Sequence, residues 1–199
     1  MMKAMTSAEP ILNVAQWVPR SRVNGPGERF VLWLQGCGLA CPGCWNPDTW
    51  SFAPRHLVTP ATVMEWIGAT PGIEGVTFSG GEPFAQAAAL VPLARSLREQ
   101  GLSLMIFTGH ELSELRGEAH RALLALTDIV VTGRYVESQR DLSLRWRGSR
   151  NQEVHFLTPR YAPSLLDAPG GSVEIVIESD GSVRLTGFPE DRLRSVLGS

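Results

Sequence analysis

Phe30-Val-Leu-Trp-Leu34, running directly into Gln35-Gly-Cys37-Gly-Leu-Ala-Cys41-Pro-Gly-Cys44, is the stretch on which the reading of this chain turns. Five consecutive apolar residues before a turn-forming segment predict a buried strand. The three cysteines behind it are all the chain has. They stand in a Gly/Pro-containing loop at the strand's C-terminal end. A zinc ribbon or a complete iron–sulfur ligand set would need a fourth Cys or a nearby His. Three thiolates at C-x3-C-x2-C spacing suggest instead a metal centre with one coordination position open. A [4Fe–4S] cube held by three thiolates leaves its fourth iron free for a substrate.

Composition narrows the class. The chain has 199 residues, 43% of them apolar, which suits one domain with a real core. A net charge of −2 gives no sign of nucleic acid or an acidic membrane surface as partner. Lys3 is the sole lysine against seventeen arginines, which reads as genome composition rather than function. No apolar run is long enough to span a membrane, and Met1 to Pro10 lacks the pattern of a signal peptide. Three clustered cysteines, an odd number, do not form a complete disulfide set. A reducing cytoplasm is the expected compartment.

Along the chain, residues 1–10 read as a loose tail and 11–199 as a single domain. Ile11 to Val18 predicts a short strand, and Asn24-Gly-Pro-Gly27 a turn. Thr59-Pro60 is an N-cap with Pro at the first helical position, opening a helix through Met64, Trp66 and Ile67. Gly75-Val-Thr-Phe-Ser-Gly-Gly-Glu-Pro83 is a strand running into a glycine turn. Ala85 to Gln100 is helical with Gly101 as C-cap, and Pro92 predicts a kink or a late start. Leu102 to Phe107 is a strand ending in Thr108-Gly-His110. Glu111 to Leu126 is a second amphipathic helix with an interruption at Gly117. Asp128 to Val131 is a strand ending at Thr132-Gly133. Val173 to Glu178, a turn at Ser179-Asp-Gly-Ser182 and Val183 to Leu185 predict a hairpin over about residues 172–187.

Alternating strands and helices in steps of roughly thirty residues imply right-handed βαβ units and a parallel α/β sheet. Such sheets bind ligands at the carboxyl ends of their strands. The cysteine loop, Ser79-Gly-Gly-Glu82, Thr108-Gly109 and Thr132-Gly133 each follow a strand. They are therefore expected to converge on one rim.

Six segments in order carry a family resemblance: Gly25-Pro-Gly27 with Arg29; Gln35 through Cys44-Trp-Asn-Pro47; Ser79-Gly-Gly-Glu-Pro83; Phe107-Thr-Gly109; Asp128-Ile-Val-Val-Thr-Gly-Arg-Tyr135; and Arg147-Gly-Ser-Arg-Asn-Gln152. From about residue 12 to about 158 the chain resembles the radical S-adenosylmethionine (SAM) enzymes. Within them it is most similar to the activating proteins of anaerobic ribonucleotide reductases. The resemblance implies an incomplete (β/α) barrel of the radical SAM type, one [4Fe–4S] cluster and SAM. It implies Cys37, Cys41 and Cys44 as cluster ligands. Ser79, Gly80, Gly81 and Glu82 would hold the SAM methionine amine, with Thr108 as a further cofactor contact. Trp45 would lie near the adenine, with Asn46 beside it.

The implied activity is an oxidoreductase reaction. SAM is cleaved reductively to methionine and a 5′-deoxyadenosyl radical, which takes hydrogen from a glycyl-radical enzyme. A flavodoxin- or ferredoxin-type protein would supply the electron. The lack of any obvious catalytic dyad fits, because hydrogen-atom abstraction needs no general base. Gly36, Gly38 and Gly43 would let the loop wrap a cluster and aim backbone N–H groups at its sulfurs. Gly80 and Gly81 would let the main chain approach SAM.

Three positions depart from the family pattern. Gly43 replaces an aromatic residue common in radical SAM proteins, a change its small branch shares. Asn24 and Thr132 each stand where activases usually carry Asp. With the added hairpin, these keep open action on another peptide or small molecule. An iron–sulfur electron-transfer module and a zinc knuckle using His56 are the plainer alternatives. Arg145, Arg147 and Arg150 form either a solvated face or a grip on a carboxylate, partner or phosphate. His110 is a weaker site residue, and His120 and His155 read as structural.

Overall fold

The structure, a computed structural model, describes residues 9–177, 180–181, 183–190 and 193. The predicted tail over residues 1–8 and the hairpin positions Glu178, Ser179 and Ser182 lie outside the described residues. The described chain forms strands β1 (Leu12–Ser21), β2 (Arg29–Leu34), β3 (His56–Val58), β4 (Gly75–Gly80), β5 (Ser103–Phe107), β6 (Ile129–Thr132), β7 (Glu153–Phe156), β8 (Val173–Ile177) and β9 (Val183–Gly187). Its α-helices are α1 (Pro60–Gly68), α2 (Ala87–Glu99) and α3 (Glu118–Leu124).

One sheet runs in the order β3-β1-β2-β4-β5-β6-β7, and β8-β9 form a separate hairpin. Parallel pairing joins β2, β4, β5 and β6. The parallel sheet expected from the sequence therefore covers only these four central strands. β1, β3 and β7 pair antiparallel at the flanks. For β1 the reason is chain length. Between β1 and β2 lie only residues 22–28, too few for the helical crossover that parallel pairing requires.

All six residues of β2 are buried, because both faces of the central strands are covered. Phe30, Leu32, Leu34, Val76, Phe78 and Leu104 meet Val63, Ile67, Leu90, Leu93 and Leu97 of the helices in the main core. Alternate residues point the other way. Val31 and Trp33 pack with Ala15 and Val18. Met105, Ile129 and Val131 pack with Trp146 and, from the later chain, Tyr161, Leu165 and Leu166. The helices thus form a single layer, and the opposite face carries the functional surface. Arg29 crosses that face at the foot of the sheet, fully buried. It donates to Thr77 Oγ1 (2.8 Å), Ser103 Oγ (2.7 Å) and the Val76 carbonyl (2.6 Å). Burial pulls its pKa below the usual arginine range, opposed by the nearby Tyr161 hydroxyl.

The helix ends follow local chemistry. Thr59 accepts a hydrogen bond from the Thr62 N–H with Pro60 in the first turn. Gly101, one residue beyond the Gln100 cap, has φ +75°. Its N–H reaches the Arg98 carbonyl, while Leu102 N–H reaches Leu97, a Schellman ending. Pro92 lies inside α2, which starts at Ala87 behind a 3-10 turn over Pro83–Gln86. The long helix expected over 111–126 is instead a 3-10 turn at Leu112–Glu114 and the short α3. A reciprocal Glu111–Glu114 capping box closes the turn, and Gly117 caps α3. No helix among the described residues is long and apolar enough to cross a membrane.

Candidate functional site

The cysteine loop is pinned at its neck. Gly36 N–H donates to the Thr49 carbonyl (2.8 Å) and Cys37 N–H to Trp50 (3.0 Å). Gln35 Nε2 donates to the Ser51 carbonyl at 2.6 Å. Gln86 Nε2 ties the Gln35 and Asn13 carbonyls together at 2.9 and 3.0 Å. Between these anchors the chain turns tightly through Ala40 (φ +44°) and Gly43 (φ +72°). A Cβ at Gly43 would meet the Glu137 carboxylate at 2.9 Å, so the loop lies close against that side chain.

Cys37, Cys41 and Cys44 are free and half-buried. Burial pushes the Cys37 thiol up, opposed by the Leu39 and Ala40 backbone N–H groups at its sulfur. Asn46 N–H donates to Cys44 Sγ at 3.4 Å. Three free thiols on one loop, with N–H donors at two of the sulfurs, fit a three-thiolate iron–sulfur cluster. Among the described residues no three His, Cys, Asp or Glu side chains lie close enough to share one metal ion. A cube binds each thiolate at a different corner and so needs them spread wider than one ion does. His56, the residue a zinc site would recruit, is exposed on β3. Its ring lies edge-on to Trp17 at 5.9 Å.

The glycine turn after β4 docks onto the neck of this loop. Gly81 N–H donates to the Leu34 carbonyl and Glu82 N–H to Gly36, both at 2.8 Å. Gly80 holds φ +98°, and a Cβ there would lie 2.6 Å from the Leu34 backbone nitrogen. A Cβ on Gly81 would lie 2.4 Å from the Gly36 carbonyl oxygen. Glu82 is 2% exposed. Its Oε1 accepts from Phe84 N–H (2.9 Å) and Thr108 Oγ1 (2.9 Å), and its Oε2 from Gly109 N–H (3.0 Å). Burial pushes its carboxyl above the usual range, and these three donors oppose the shift. Glu82 thus joins the end of β4 to the end of β5, and Thr108 helps to hold it.

A cavity of about 570 Å³ opens where these segments meet. Cys37, Cys41, Cys44, Trp45, Asn46, Ser79, Gly80, Gly81, Glu82 and Thr108 all line it, so the cluster and SAM residues that the resemblance implies border one space. Asn24 lines it too; its Nδ2 donates to Ser21 Oγ and Thr186 Oγ1, both at 2.8 Å. Arg145, Arg147 and Arg150 are not among its lining residues. Arg145 reaches the Leu165 carbonyl and lies over the Trp146 ring. His110 also stays outside the lining, 3.6 Å from Glu114. Thr132 is buried and bonds His155 Nε2 at 2.9 Å, while His120 packs edge-on against Phe84.

Sequence reasoning missed Phe188, which lines the cavity from beyond β9, and Arg140, whose guanidinium lies 5.4 Å from the Trp45 ring centre. Neither belongs to a motif, and no periodicity marks them.

A family model described as a 4Fe-4S single cluster domain matches residues 23–155. An anaerobic ribonucleoside-triphosphate reductase-activating protein of Vibrio cholerae is 34% identical over 155 residues, 74% of this chain and 99% of the relative. The protein of that name from Escherichia coli is 34% identical over 154 residues, 73% of this chain and 99% of its own length. The solved structure of QueE from Escherichia coli is similar over 51% of this chain and 52% of its own. At 20% identity and a TM-score of 0.39, that likeness is too distant to bear on the fold. The near full-length match to the activating proteins and the cluster-domain match across the cysteine loop agree. The chain belongs to the family of anaerobic ribonucleoside-triphosphate reductase-activating proteins.

Proposed function

We propose that this protein is a radical SAM activase that installs a glycyl radical in an anaerobic ribonucleotide reductase. The observation that supports the reading best is convergence. Residues from three separate strand ends, nominated by sequence, line one cavity beside three free cysteines. On this reading, the four parallel strands with their single helix layer are the incomplete (β/α) barrel, and residues 11–199 act as one catalytic unit. With a [4Fe–4S] cluster and SAM bound, the chemistry supplied is one-electron cleavage of the SAM C–S bond, giving methionine and a 5′-deoxyadenosyl radical. A flavodoxin- or ferredoxin-type protein provides the electron. The hydrogen atom comes from a glycine of the partner and leaves in 5′-deoxyadenosine.

The chain's own residues hold and shield these groups. Cys37, Cys41 and Cys44 ligate the cluster, and the backbone N–H groups of the loop temper charge on the thiolates. Ser79, Gly80 and Gly81 present main chain to the SAM methionine moiety; the missing Cβ atoms of Gly80 and Gly81, rather than clearing space for SAM as expected from the sequence, let the turn pack onto the Leu34 and Gly36 backbone. Glu82, braced by Thr108, offers negative charge to the amine. Trp45 and Asn46 line the same cavity, where Trp45 would lie near the adenine.

Anaerobic reconstitution with iron and sulfide, followed by SAM and dithionite, tests the chemistry through 5′-deoxyadenosine. The parent should accumulate it, and Cys41→Ala should lose both the cluster absorbance and the product. Equal product from Cys41→Ala would overturn the assignment. Asn24 and Thr132, in place of the usual Asp, favour a second reading in which another peptide or small molecule donates the hydrogen. A glycyl-radical electron paramagnetic resonance signal from the co-incubated reductase separates the two.

A further inference from the structure

The β8–β9 hairpin lies beyond residue 155, where the match to the cluster-domain family ends. It is nevertheless seated on the cavity, whose lining includes Val183, Leu185, Thr186 and Phe188. Buried and backbone-directed hydrogen bonds fix it there. Asn24 Nδ2 donates to Thr186 Oγ1 at 2.8 Å, and Thr186 is 6% exposed. Arg22 N–H donates to Glu174 Oε1 at 2.6 Å. Arg184 donates to the Trp17 carbonyl and Arg140 to the Pro189 carbonyl, each at 3.3 Å. Asn24, one of the positions that departs from the activase pattern, thus helps to latch the added hairpin through its buried side-chain bond to Thr186.

Seated this way, the hairpin brings Phe188 to Trp45, with ring centres 5.5 Å apart at 60°. Tyr135 meets the same indole from another side, at 6.4 Å and 81°. All three rings line the cavity that holds the cysteines. Edge-to-face aromatic groups form a firm apolar corner, of the kind that suits a flat heteroaromatic ring. SAM has one such part, its adenine. Its other ends are a sulfonium cation and a zwitterionic amino acid.

We infer that Phe188 completes, with Trp45 and Tyr135, an aromatic corner that receives the adenine of SAM, so that the C-terminal hairpin is part of the cofactor site. The inference rests on the SAM-dependent reading above. Phe188 is then a specificity-determining residue supplied by a segment outside the family match.

Equilibrium dialysis of SAM against the reconstituted, oxidised full-length protein tests this without turnover. Phe188→Leu keeps apolar bulk but removes the ring, and should weaken SAM binding roughly five- to tenfold, the scale of an aromatic contact. Phe188→Tyr should bind within about twofold of the parent on the same reasoning. Iron content and cluster absorbance should be equal in all three. Thr186→Val, which keeps the Phe188 ring but cuts the latch that seats it, should weaken binding in the same direction. If the parent binds SAM and Phe188→Leu binds equally well, the aromatic corner is wrong and the SAM-dependent reading stands. If Phe188→Tyr loses as much as Phe188→Leu, the ring is not what matters and the inference falls. If the loaded parent binds no SAM, the functional reading itself fails and takes the inference with it.

Discussion

Glu82 shows how one side chain can serve both fold and site. Its carboxylate closes the gap between the ends of β4 and β5 through Thr108 and the Gly109 N–H, yet it lines the cavity. Burial, the larger influence, raises its pKa above the usual carboxylate value. The folded state therefore favours the protonated form more than the unfolded chain does. The stability this contributes is present below the ordinary carboxyl range and is lost as pH rises through the raised value. In cluster-free protein, the parent should lose stability relative to Glu82→Gln across that window. Urea unfolding from pH 4 to pH 8 measures it. A constant difference between the two would show that Glu82 titrates alike in both states. The position of Glu82 was legible from Ser79-Gly-Gly-Glu82 alone, because a glycine turn behind an apolar strand fixes where the next side chain emerges. Its bonds to Thr108 and Gly109, twenty-six and twenty-seven residues on, were not. They depend on the spacing between strands, which no local pattern encodes.

At the scale of elements, Asp128 holds the layers in register. It is 1% exposed. It accepts from Arg98 of α2 through both oxygens (2.7 Å), from Leu104 N–H of β5 (2.9 Å) and from Thr158 beyond β7 (2.6 Å). Asp128→Ala strands a buried N–H and a cation, but Arg98 retains access to water, its side chain being 35% exposed. The expected loss is about 2–3 kcal/mol. It should appear as a lower urea midpoint with an unchanged slope, and a shift below about 0.5 kcal/mol would refute the account. The same elements show where sequence reading succeeds. β2, β4 and β5 announced themselves because both faces are buried, which forces near-continuous apolar runs. β3 and β7 did not. His56-Leu-Val58 and Glu153-Val-His-Phe156 are short edge strands with largely exposed or half-buried side chains. They are recruited by pairing with β1 and β6 rather than by any pattern of their own.

The whole molecule divides into a seven-stranded sheet and an appended hairpin, and the division makes a prediction. The apolar cluster beneath Trp146 is completed by Tyr161, Leu165 and Leu166, all before residue 171. A Cβ on Gly170 would meet the Leu144 carbonyl oxygen at 2.3 Å, so the main chain there lies tight against the body of the protein. The segment beyond Gly171 is attached through the Asn24–Thr186, Arg22–Glu174, Arg184–Trp17 and Arg140–Pro189 hydrogen bonds and the Phe188–Trp45 contact. Its outer side leaves Ile175 49% and Ile177 73% exposed. At about 1 kcal/mol for each of these four hydrogen bonds, ending the chain after Gly171 should cost about 4 kcal/mol. The shortened protein should keep a single cooperative thermal transition and take up its iron normally, because the neck contacts of the pinned cysteine loop run within residues 35–51 and to Asn13, the turn at 81–82 and Gln86, all before Gly171. Circular dichroism melting and iron analysis of the two chains measure both expectations. Loss of the cooperative transition would show that the hairpin is integral to the core rather than attached to it. Retention of the fold would leave the hairpin as an addition whose contacts lie at the cavity.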